Sequence, residues 1–257
     1  MSELYGFDGK VAIVTGAGGG LGKAYAKLLA GRGARVIVND LGGAVDGIGQ
    51  GNAMADLVVE EIKAAGGEAA PSYDSVEDGD KVVQAALDHF GQIDIVVNNA
   101  GILRDKSFHK MTAEDWAMTY RVHLFGSFQV THAAWPHMRK NGYGRIVMAT
   151  SSSGLYGNFG QANYGAMKMG LVGLANTLAI EGKKYNIGVN CFAPYGATRM
   201  TLDLLPDQMK EMTVPEKAAP LIGYLCHESF EGTGLVFEVG GGFMAQLRLQ
   251  RSSGHLF

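Results

Sequence analysis

The chain has 257 residues, of which 47% are hydrophobic and 18% are charged, and its formal net charge is −3. This length suits one large α/β domain or two small ones, and the composition allows a sizeable buried core rather than a disordered chain. No basic stripe indicates a nucleic-acid partner, and no apolar run reaches the length of a membrane span, about 18 residues.

The two cysteines, Cys191 and Cys226, lie inside apolar segments. We expect buried, reduced thiols, because no paired Cys/His spacing indicates a metal site. The first ten residues lack the basic start and apolar core of a signal peptide, and the final residues from Gly254 to Phe257 match no common organelle tag. A soluble protein in a reducing compartment is therefore expected.

The chain opens on a predicted strand, turn and helix. Lys10–Thr15 is a β-branched run without alternation, which fits a strand buried on both faces. Gly16, Gly20 and Gly22 follow in the pattern GxxxGxG, and a helix is predicted from Leu21 to Arg32. Glycines in this position let backbone amides approach a diphosphate at the positive end of the helix. A plain tight turn is the alternative interpretation.

The second predicted strand, Arg35–Asn39, ends at Asp40. A carboxylate at this place accepts hydrogen bonds from the adenosine ribose hydroxyls and repels a 2′-phosphate, which favours NAD over NADP. A solvated aspartate at a strand end is the alternative. The Gly-rich segment Leu41–Asn52 is longer than most strand-to-helix links, and we interpret it as a flap near the adenosine end.

The rest of the chain alternates helices and strands without a linker. Strands are predicted at Glu68–Tyr73, Ile93–Val97, Arg145–Thr150, Gly188–Ala193 and Leu235–Val239. Helices are predicted at Met54–Ala65, Glu77–Phe90, Thr112–Lys140, Gln161–Lys184 and Pro215–His227. Thr112 and Asp115 have the spacing of a capping box. This order predicts a single α/β domain over residues 1–257, a Rossmann-like doubly wound parallel sheet of about seven strands with helices on both faces.

Two segments near the carboxyl terminus have less regular patterns. Residues 196–213 have little periodicity and suit a substrate lid. The tail from Phe243 to Phe257 alternates Leu and Arg, and is expected to lie on a partner or to be a linker.

Tyr164 and Lys168 stand one turn apart on the same face of their predicted helix. An ammonium beside a phenol favours the phenolate, so the pKa of Tyr164 is expected to fall towards neutrality, which makes Tyr164 a candidate proton carrier. Ser151 follows the fifth strand and is a candidate to hold the oxygen whose proton Tyr164 handles. An aromatic residue packed near a solvated lysine is the alternative interpretation of this pair.

Taken together, these motifs resemble the short-chain dehydrogenase/reductase family over nearly the whole chain. The shared patterns are TGxxxGxG from Thr15 to Gly22, NNAG from Asn98 to Gly101, Ser151, and YxxxK from Tyr164 to Lys168. Longer strings, such as Asn99–Arg104 and Tyr156–Tyr164, are similar to the members of that family that act on (3R)-hydroxyacyl-CoA.

The resemblance implies hydride transfer between NAD and the 3-hydroxyl or 3-keto carbon of a (3R)-hydroxyacyl-CoA, with no metal. It implies that Tyr164 is the proton donor and acceptor, that Lys168 lowers its pKa and holds the nicotinamide ribose, and that Ser151 positions the substrate oxygen. Three alternatives stay open: a 17β-hydroxysteroid or other secondary-alcohol dehydrogenase, a 3-oxoacyl carrier-protein reductase, and a nucleotide-binding module without turnover.

The residues expected to bind the cofactor lie at the predicted strand ends and on the catalytic helix. They are Gly16, Gly20, Leu21, Gly22, Asp40, Asp74, Ser75, Val76, Asn99, Ala100, Gly101, Tyr164, Lys168, Pro194, Gly196 and Thr198. Asp74 is interpreted either as a helix cap or as an adenine contact.

The chain departs from the family pattern at two positions. Many relatives have Asn where this chain has His123, which is interpreted either as a proton relay or as a core histidine. Tyr195 stands where many relatives have Gly after Pro194. The resemblance also implies a homodimer or homotetramer, located in the cytoplasm for a stand-alone bacterial-type enzyme and in the peroxisome for part of a multifunctional protein.

Overall fold

The computed structural model describes residues 5–196 and 206–256, and a single eight-stranded sheet spans them. The sheet order is β3-β2-β1-β4-β5-β6-β7-β8. The strands are β1 Val11–Thr15, β2 Arg35–Asn39, β3 Glu68–Ser72, β4 Ile95–Asn98, β5 Gly144–Ala149, β6 Ile187–Pro194, β7 Val236–Gly240 and β8 Phe243–Leu247. The first seven strands are parallel, and β1, β4 and β5 are buried along their whole length. This confirms the predicted α/β class.

Helices cover both faces of the sheet. Those in the described residues are α1 Gly20–Ala30, α2 Ala53–Ala64, α3 Gly79–Phe90, α4 Ala113–Thr119, α5 Gly126–Asn141, α6 Ser152–Tyr156, α7 Ala162–Gly182, α8 Asp207–Met212 and α9 Ala219–Cys226. One apolar core lies under α1, α2 and α9, and a second lies under α3, α5 and α7. Strand order and layers together make the doubly wound arrangement that the sequence predicted. No described helix is both long and apolar enough to cross a membrane.

The sheet has one strand more than the parallel sheet of about seven strands that the sequence predicted. β8 lies antiparallel to β7, and Gly240 pairs with Phe243. The two residues between them, Gly241 and Gly242, both have positive φ, as a two-residue hairpin turn requires. The tail therefore begins as an edge strand of this chain's own sheet.

The predicted helix Thr112–Lys140 is interrupted. The capping box is present at its start, where the Thr112 hydroxyl and the Asp115 carboxylate each accept from the other's backbone amide. A π-helical segment, Tyr120–Phe125, then separates α4 from α5. π-helical turns insert a residue into the helical repeat and often occur at functional sites. This one contains His123.

The proposed lid lies partly outside the described residues, which resume at Pro206. The described portion contains α8, although the sequence pattern predicts little regularity there. Both cysteines are free and buried, as expected, and burial raises the pKa of each thiol to about 12.

Candidate active site

A cleft of about 260 Å³ opens at the carboxyl ends of the strands. It spans the point between β1 and β4 where the strand order reverses, which is the usual ligand site of an open α/β sheet. Of the residues predicted from the sequence, those that line it are Gly16, Gly20, Leu21, Gly22, Asp40, Asp74, Ser75, Val76, Asn99, Ala100, Gly101, His123, Tyr164, Lys168 and Pro194.

The turn from β1 to α1 has room only for glycine at its tightest positions. Gly16 has φ of 63°, and a Cβ there would lie 2.8 Å from the Ala100 Cα. A Cβ on Gly22 would overlap the Gly16 carbonyl oxygen and lie 2.6 Å from the Asn99 Nδ2. Gly16, Gly20 and Gly22 line the cleft at the start of α1, and a helix N-terminus in this position suits a diphosphate.

Hydrogen bonds join the end of β1 to the end of β4. The Thr15 hydroxyl accepts from the backbone amides of Asn99 and Ala100, both at 3.0 Å. The Asn99 side chain donates back to the carbonyls of Thr15 and Gly16, at 3.0 and 3.2 Å. The predicted NNAG segment thus fixes the floor of the cleft.

Asp40 lies at the rim of the cleft, after β2. Its carboxylate accepts from the amides of Gly18 at 2.7 Å and Gly42 at 2.8 Å. A Cβ on Gly18 would clash with that carboxylate at 2.7 Å. The glycine turn and the acidic residue therefore form one hydrogen-bonded unit at the rim of the cleft.

The segment between β2 and α2 lines the cleft. The sequence predicted this segment only as a flap. Its cleft-lining residues are Leu41, Gly43, Ala44, Val45 and Gly47. The Leu103 amide donates to the Val45 carbonyl at 2.9 Å, and Arg104 Nε donates to the Asp46 carbonyl at 3.0 Å. The segment therefore reaches from Asp40 to the loop that follows β4.

Asp74 does not cap the helix that follows β3. The cap is Ser75, whose hydroxyl accepts from the Glu77 amide at 3.2 Å. The Asp74 carboxylate instead accepts from the Ser72 hydroxyl at 3.3 Å, and its backbone carbonyl accepts from the Asn39 side chain at 2.9 Å. Both Asp74 and Ser75 line the cleft, so the alternative of an adenine contact stays a prediction.

Local hydrogen bonds near helix N-termini hold both Ser151 and Tyr164. Ser151 is the N-cap of α6, and its hydroxyl accepts from the Ser153 amide at 3.2 Å. Tyr164 lies in the first turn of α7, where the Asn163 side chain accepts from its amide at 2.8 Å. The Ser151 hydroxyl lies close enough to the Tyr164 phenol to lower the pKa of the phenol, as a hydrogen-bond partner does.

The expected effect of Lys168 on Tyr164 is wrong for this structure. Burial raises the pKa of Tyr164 to about 12, although the hydrogen bond with Ser151 lowers it and the charge of Asp105 raises it further. Burial also lowers the pKa of Lys168 to about 7. The Lys168 ammonium donates to the Ala149 carbonyl at 2.5 Å and lies 5.4 Å from the centre of the Tyr164 ring. Desolvation is the largest cause of both shifts.

His123 is 1% exposed and borders the cleft beside Tyr164, with the two ring centres 5.1 Å apart. Its Nε2 lies 3.0 Å from the Ile102 amide and 2.9 Å from the Ile102 carbonyl. Its Nδ1 has no hydrogen-bond partner among the described residues. Burial and the nearby Lys168 charge hold the pKa of His123 well below its ordinary value, so the imidazole is neutral.

Of the predicted cofactor residues that the structure describes, Gly196 is not among those that line the cleft. Gly196 lies against Leu21, where a Cβ would be 3.0 Å from the leucine side chain. Thr198 lies outside the described residues. A sequence match covers both positions: the short chain dehydrogenase family matches residues 10–208.

The chain belongs to the short-chain dehydrogenase family. It is therefore an oxidoreductase that acts on CH–OH donors with a nicotinamide dinucleotide. The peroxisomal multifunctional enzyme type 2 of Mus musculus is 60% identical over 254 residues, which are 99% of this chain and 35% of that enzyme. The chain thus spans about a third of the length of that relative.

Two solved structures share the fold of this dehydrogenase. The full-length peroxisomal multifunctional enzyme type 2 of Drosophila melanogaster matches with a TM-score of 0.83 and 46% identity, over 98% of this chain and 42% of that one. A 7α-hydroxysteroid dehydrogenase in complex with NADH and 7-oxo glycochenodeoxycholic acid matches with a TM-score of 0.83 and 29% identity, over 94% of this chain and 97% of that one.

The cleft of the dehydrogenase has further walls that sequence reasoning missed. They are Gly19, Asn39, Glu77, Ile102, Met118, Val122, Ala149 and Thr150, together with the residues of the segment after β2. Ile102 directly follows the NNAG motif, so its position in the sequence could have predicted that it lines the cleft. Met118 lines the cleft from α4, and Val122 lines it from the π-helical segment. The hydrophobic periodicity of the sequence did not predict the π-helical geometry.

Proposed function

We propose that this dehydrogenase transfers a hydride between NAD and the 3-hydroxyl or 3-keto carbon of a (3R)-hydroxyacyl-CoA. The observation that carries the proposal is that Ser151 lies beside the Tyr164 phenol, while Tyr164 and Lys168 both line the cleft. The identity with the multifunctional enzyme type 2 supports the choice of substrate.

The chain's own residues fit a dinucleotide. The glycine turn presents backbone amides for the diphosphate, and Asp40 presents a carboxylate for the adenosine ribose. That carboxylate repels a 2′-phosphate, which supports NAD over NADP. Lys168 borders the cleft and would hold the nicotinamide ribose. Bound NAD⁺ supplies the hydride acceptor and a positively charged ring.

Ser151 and Tyr164 divide the work at the reacting oxygen. The Ser151 hydroxyl holds the substrate oxygen, and Tyr164 exchanges the proton of that oxygen. With its pKa at about 12, Tyr164 is protonated at neutral pH and is ready to donate to a keto oxygen. In the oxidative direction the phenolate forms only when added positive charge offsets the burial of the phenol.

His123 is the proposed relay residue. Its buried, neutral ring carries an Nδ1 with no partner in the part of the chain that the structure describes. That atom is free to hold a relay water beside Lys168, in place of the Asn of many relatives. A core histidine would instead have both ring nitrogens satisfied.

Exposed aromatic residues near Ser151 and Pro194 in the chain are proposed to contact the acyl chain. Exposed aromatic side chains follow both Ser151 and Pro194: Tyr156 is 63% exposed, Phe159 89% and Tyr195 46%. Tyr195 stands where many relatives have Gly, and its hydroxyl donates to Glu238 at 3.4 Å. The proposal holds equally for a cytoplasmic enzyme and for part of a peroxisomal multifunctional protein, because the reacting groups all lie in this one chain.

A kinetic panel tests the proposed function. Short, medium and long (3R)- and (3S)-hydroxyacyl-CoAs and a 17β-hydroxysteroid would each be assayed with NAD⁺ and NADP⁺. We expect turnover of the (3R)-acyl-CoAs with NAD⁺, and loss of that turnover in Tyr164→Phe with NADH binding nearly intact. The steroid is the second candidate, because a hydroxysteroid dehydrogenase shares the fold. Turnover of the steroid but of no acyl-CoA would contradict the proposal.

A further inference from the structure

Three segments on the substrate side meet at the side chain of Gln161, just before α7. The Gln161 Nε2 donates to the Asp105 carboxylate at 2.7 Å. Its Oε1 accepts from the Ser153 hydroxyl at 2.6 Å and from the Asn158 Nδ2 at 2.9 Å. The amide thus uses its donor and its acceptor at once, on three different partners.

These contacts are one step from the catalytic groups. The Ser153 amide donates to the Ser151 hydroxyl at 3.2 Å, so the partner of Gln161 also touches the catalytic serine. The Gln161 carbonyl accepts from the Gly165 amide at 2.7 Å, in the first turn of α7 that carries Tyr164. Gln161 therefore contacts both elements that present the reacting hydroxyls.

Asp105 brings an unneutralised charge to this cluster. Its sequence neighbours Arg104 and Lys106 both pair with Asp115, at 3.6 and 2.8 Å. Among the described residues no ion pair involves Asp105, and its side-chain partner is the Gln161 amide. Desolvation raises the pKa of Asp105, and its charge raises that of Tyr164.

We propose that Gln161 is a positioning residue, which joins the Asp105 carboxylate to the Ser153 hydroxyl and thereby orients Ser151 and Tyr164 towards the substrate. This rests on the proposed function, in that the two hydroxyls act on the substrate oxygen. An amide is needed because one side must donate to a carboxylate while the other accepts from a hydroxyl.

This requirement gives a donor–acceptor exchange experiment. Gln161→Glu leaves Asp105 without a donor and sets two carboxylates against each other. Asp105→Asn combined with Gln161→Glu reverses the bond, since the new amide donates to the new carboxylate, which still accepts from Ser153. We expect Gln161→Glu to lower kcat about tenfold at pH 8, as misplacement of a reacting group does, and the double variant to return to within about twofold of wild type.

Two further readouts separate positioning from general damage. Since the adenosine end of the cleft is untouched, the KM for the dinucleotide should stay unchanged in every variant. The activity of Gln161→Glu should recover towards acid pH, where one carboxylate takes up a proton and becomes a donor again. Asp105→Asn alone keeps an acceptor for Gln161, so its kcat should be retained while the acid limb of the oxidation profile moves to lower pH. The ionisable groups that face the phenol are Asp105, Lys168 and His123.

The matched control is Gln84→Glu. Gln84 donates to Asp88 at 2.7 Å on the exposed surface of α3, so this variant opposes two carboxylates at the same spacing away from the cleft. It should leave kcat unchanged. The assay uses whichever member of the panel the wild type turns over. A wild type that is inactive on every acyl-CoA overturns the proposed function. The ratio of variant to wild-type activity tests positioning. Positioning is overturned if Gln161→Glu behaves like Gln84→Glu, or if the double variant is no more active than Gln161→Glu.

Discussion

Burial of Lys168 makes the stability of the protein depend on pH in a definite direction. Its pKa is lowered to about 7 in the folded protein, from an ordinary value of 10.5. Between these two values the unfolded chain binds a proton that the folded protein does not, so stability rises with pH from about 7 upwards. We expect the free energy of unfolding of wild type, relative to Lys168→Met, to rise by about 1–2 kcal/mol from pH 7 to pH 8.5.

Urea denaturation of both proteins at the two pH values measures this difference. The buried thiols of Cys191 and Cys226 are present in both proteins, so their contribution cancels. A difference that stays flat between pH 7 and pH 8.5 would show that Lys168 keeps its proton in the folded state.

In the proposed function, the preference for NAD over NADP depends on Asp40. Its carboxylate already accepts from Gly18 and Gly42, so it is fixed at the rim with its charge towards the adenosine end. Asp40→Ala should lower the ratio of kcat/KM for NAD⁺ to that for NADP⁺ by about tenfold or more, because it removes a ribose acceptor and a repulsive charge. Steady-state kinetics with both dinucleotides measures the ratio, and an unchanged ratio would remove Asp40 from the cofactor site. Asp46→Ala, in the same segment, is the control and should leave the ratio unchanged.

At the scale of elements, the turn between β1 and α1 depends on space rather than on backbone flexibility alone. A Cβ on Gly22 would meet the Gly16 carbonyl, which belongs to the backbone and cannot yield as a flexible side chain would. Gly22→Ala should therefore destabilise the protein by about 3 kcal/mol even without cofactor. Gly19→Ala is the control, since its Cβ would meet only the mobile end of Met54 at 3.4 Å. Equal urea midpoints for the two variants would contradict this account of the turn.

Elements with a local signature were predictable from the sequence, and those fixed by longer-range geometry were not. β1 and β5 were predicted because strands buried on both faces are continuous apolar runs. β8 was missed although Gly241 and Gly242 have the form of a hairpin turn, because its residues alternate as an edge strand and read as a tail. The π-helical segment has the composition of an ordinary helix, so the sequence pattern did not predict where the ring of His123 lies.

The same distinction between local sequence signatures and longer-range geometry applies to the candidate site. The identities of Ser151, Tyr164 and Lys168 followed from motif and spacing, because the carboxyl ends of parallel strands meet at one edge. Their protonation did not follow, since the desolvation that raises the pKa of Tyr164 depends on how completely the surrounding elements close over it. The Gln161 cluster could not be predicted for a related reason. Asp105 and Ser153 are far apart in the chain and come together around Gln161 only in the folded protein.

At the scale of the whole molecule, α7 presents its small residues to two different environments. Gly165 and Gly170 pack within the subunit, where a Cβ would lie 2.9 Å from the Ser153 carbonyl and 3.0 Å from the Leu124 side chain. Gly173 faces open space, and Ile180, two turns further along, is 79% exposed. The small residues of α7 are thus only partly used for packing inside the described chain.

The exposed part of α7 gives the expected homodimer or homotetramer a specific test. We expect wild type to scatter light as an oligomer at micromolar concentration, and Gly173→Arg to scatter as a monomer, because the long charged side chain would be buried against a second copy at a cost of several kcal/mol. The fold should tolerate the variant, with an unchanged circular dichroism spectrum, since no atom outside its own stretch of helix lies within 4 Å of the Cβ. Gly51→Arg is the control, because its Cβ also meets open space but lies in the segment after β2. A monomeric wild type, or a Gly173→Arg variant with the mass of the wild-type oligomer, would exclude this face of α7 as the interface.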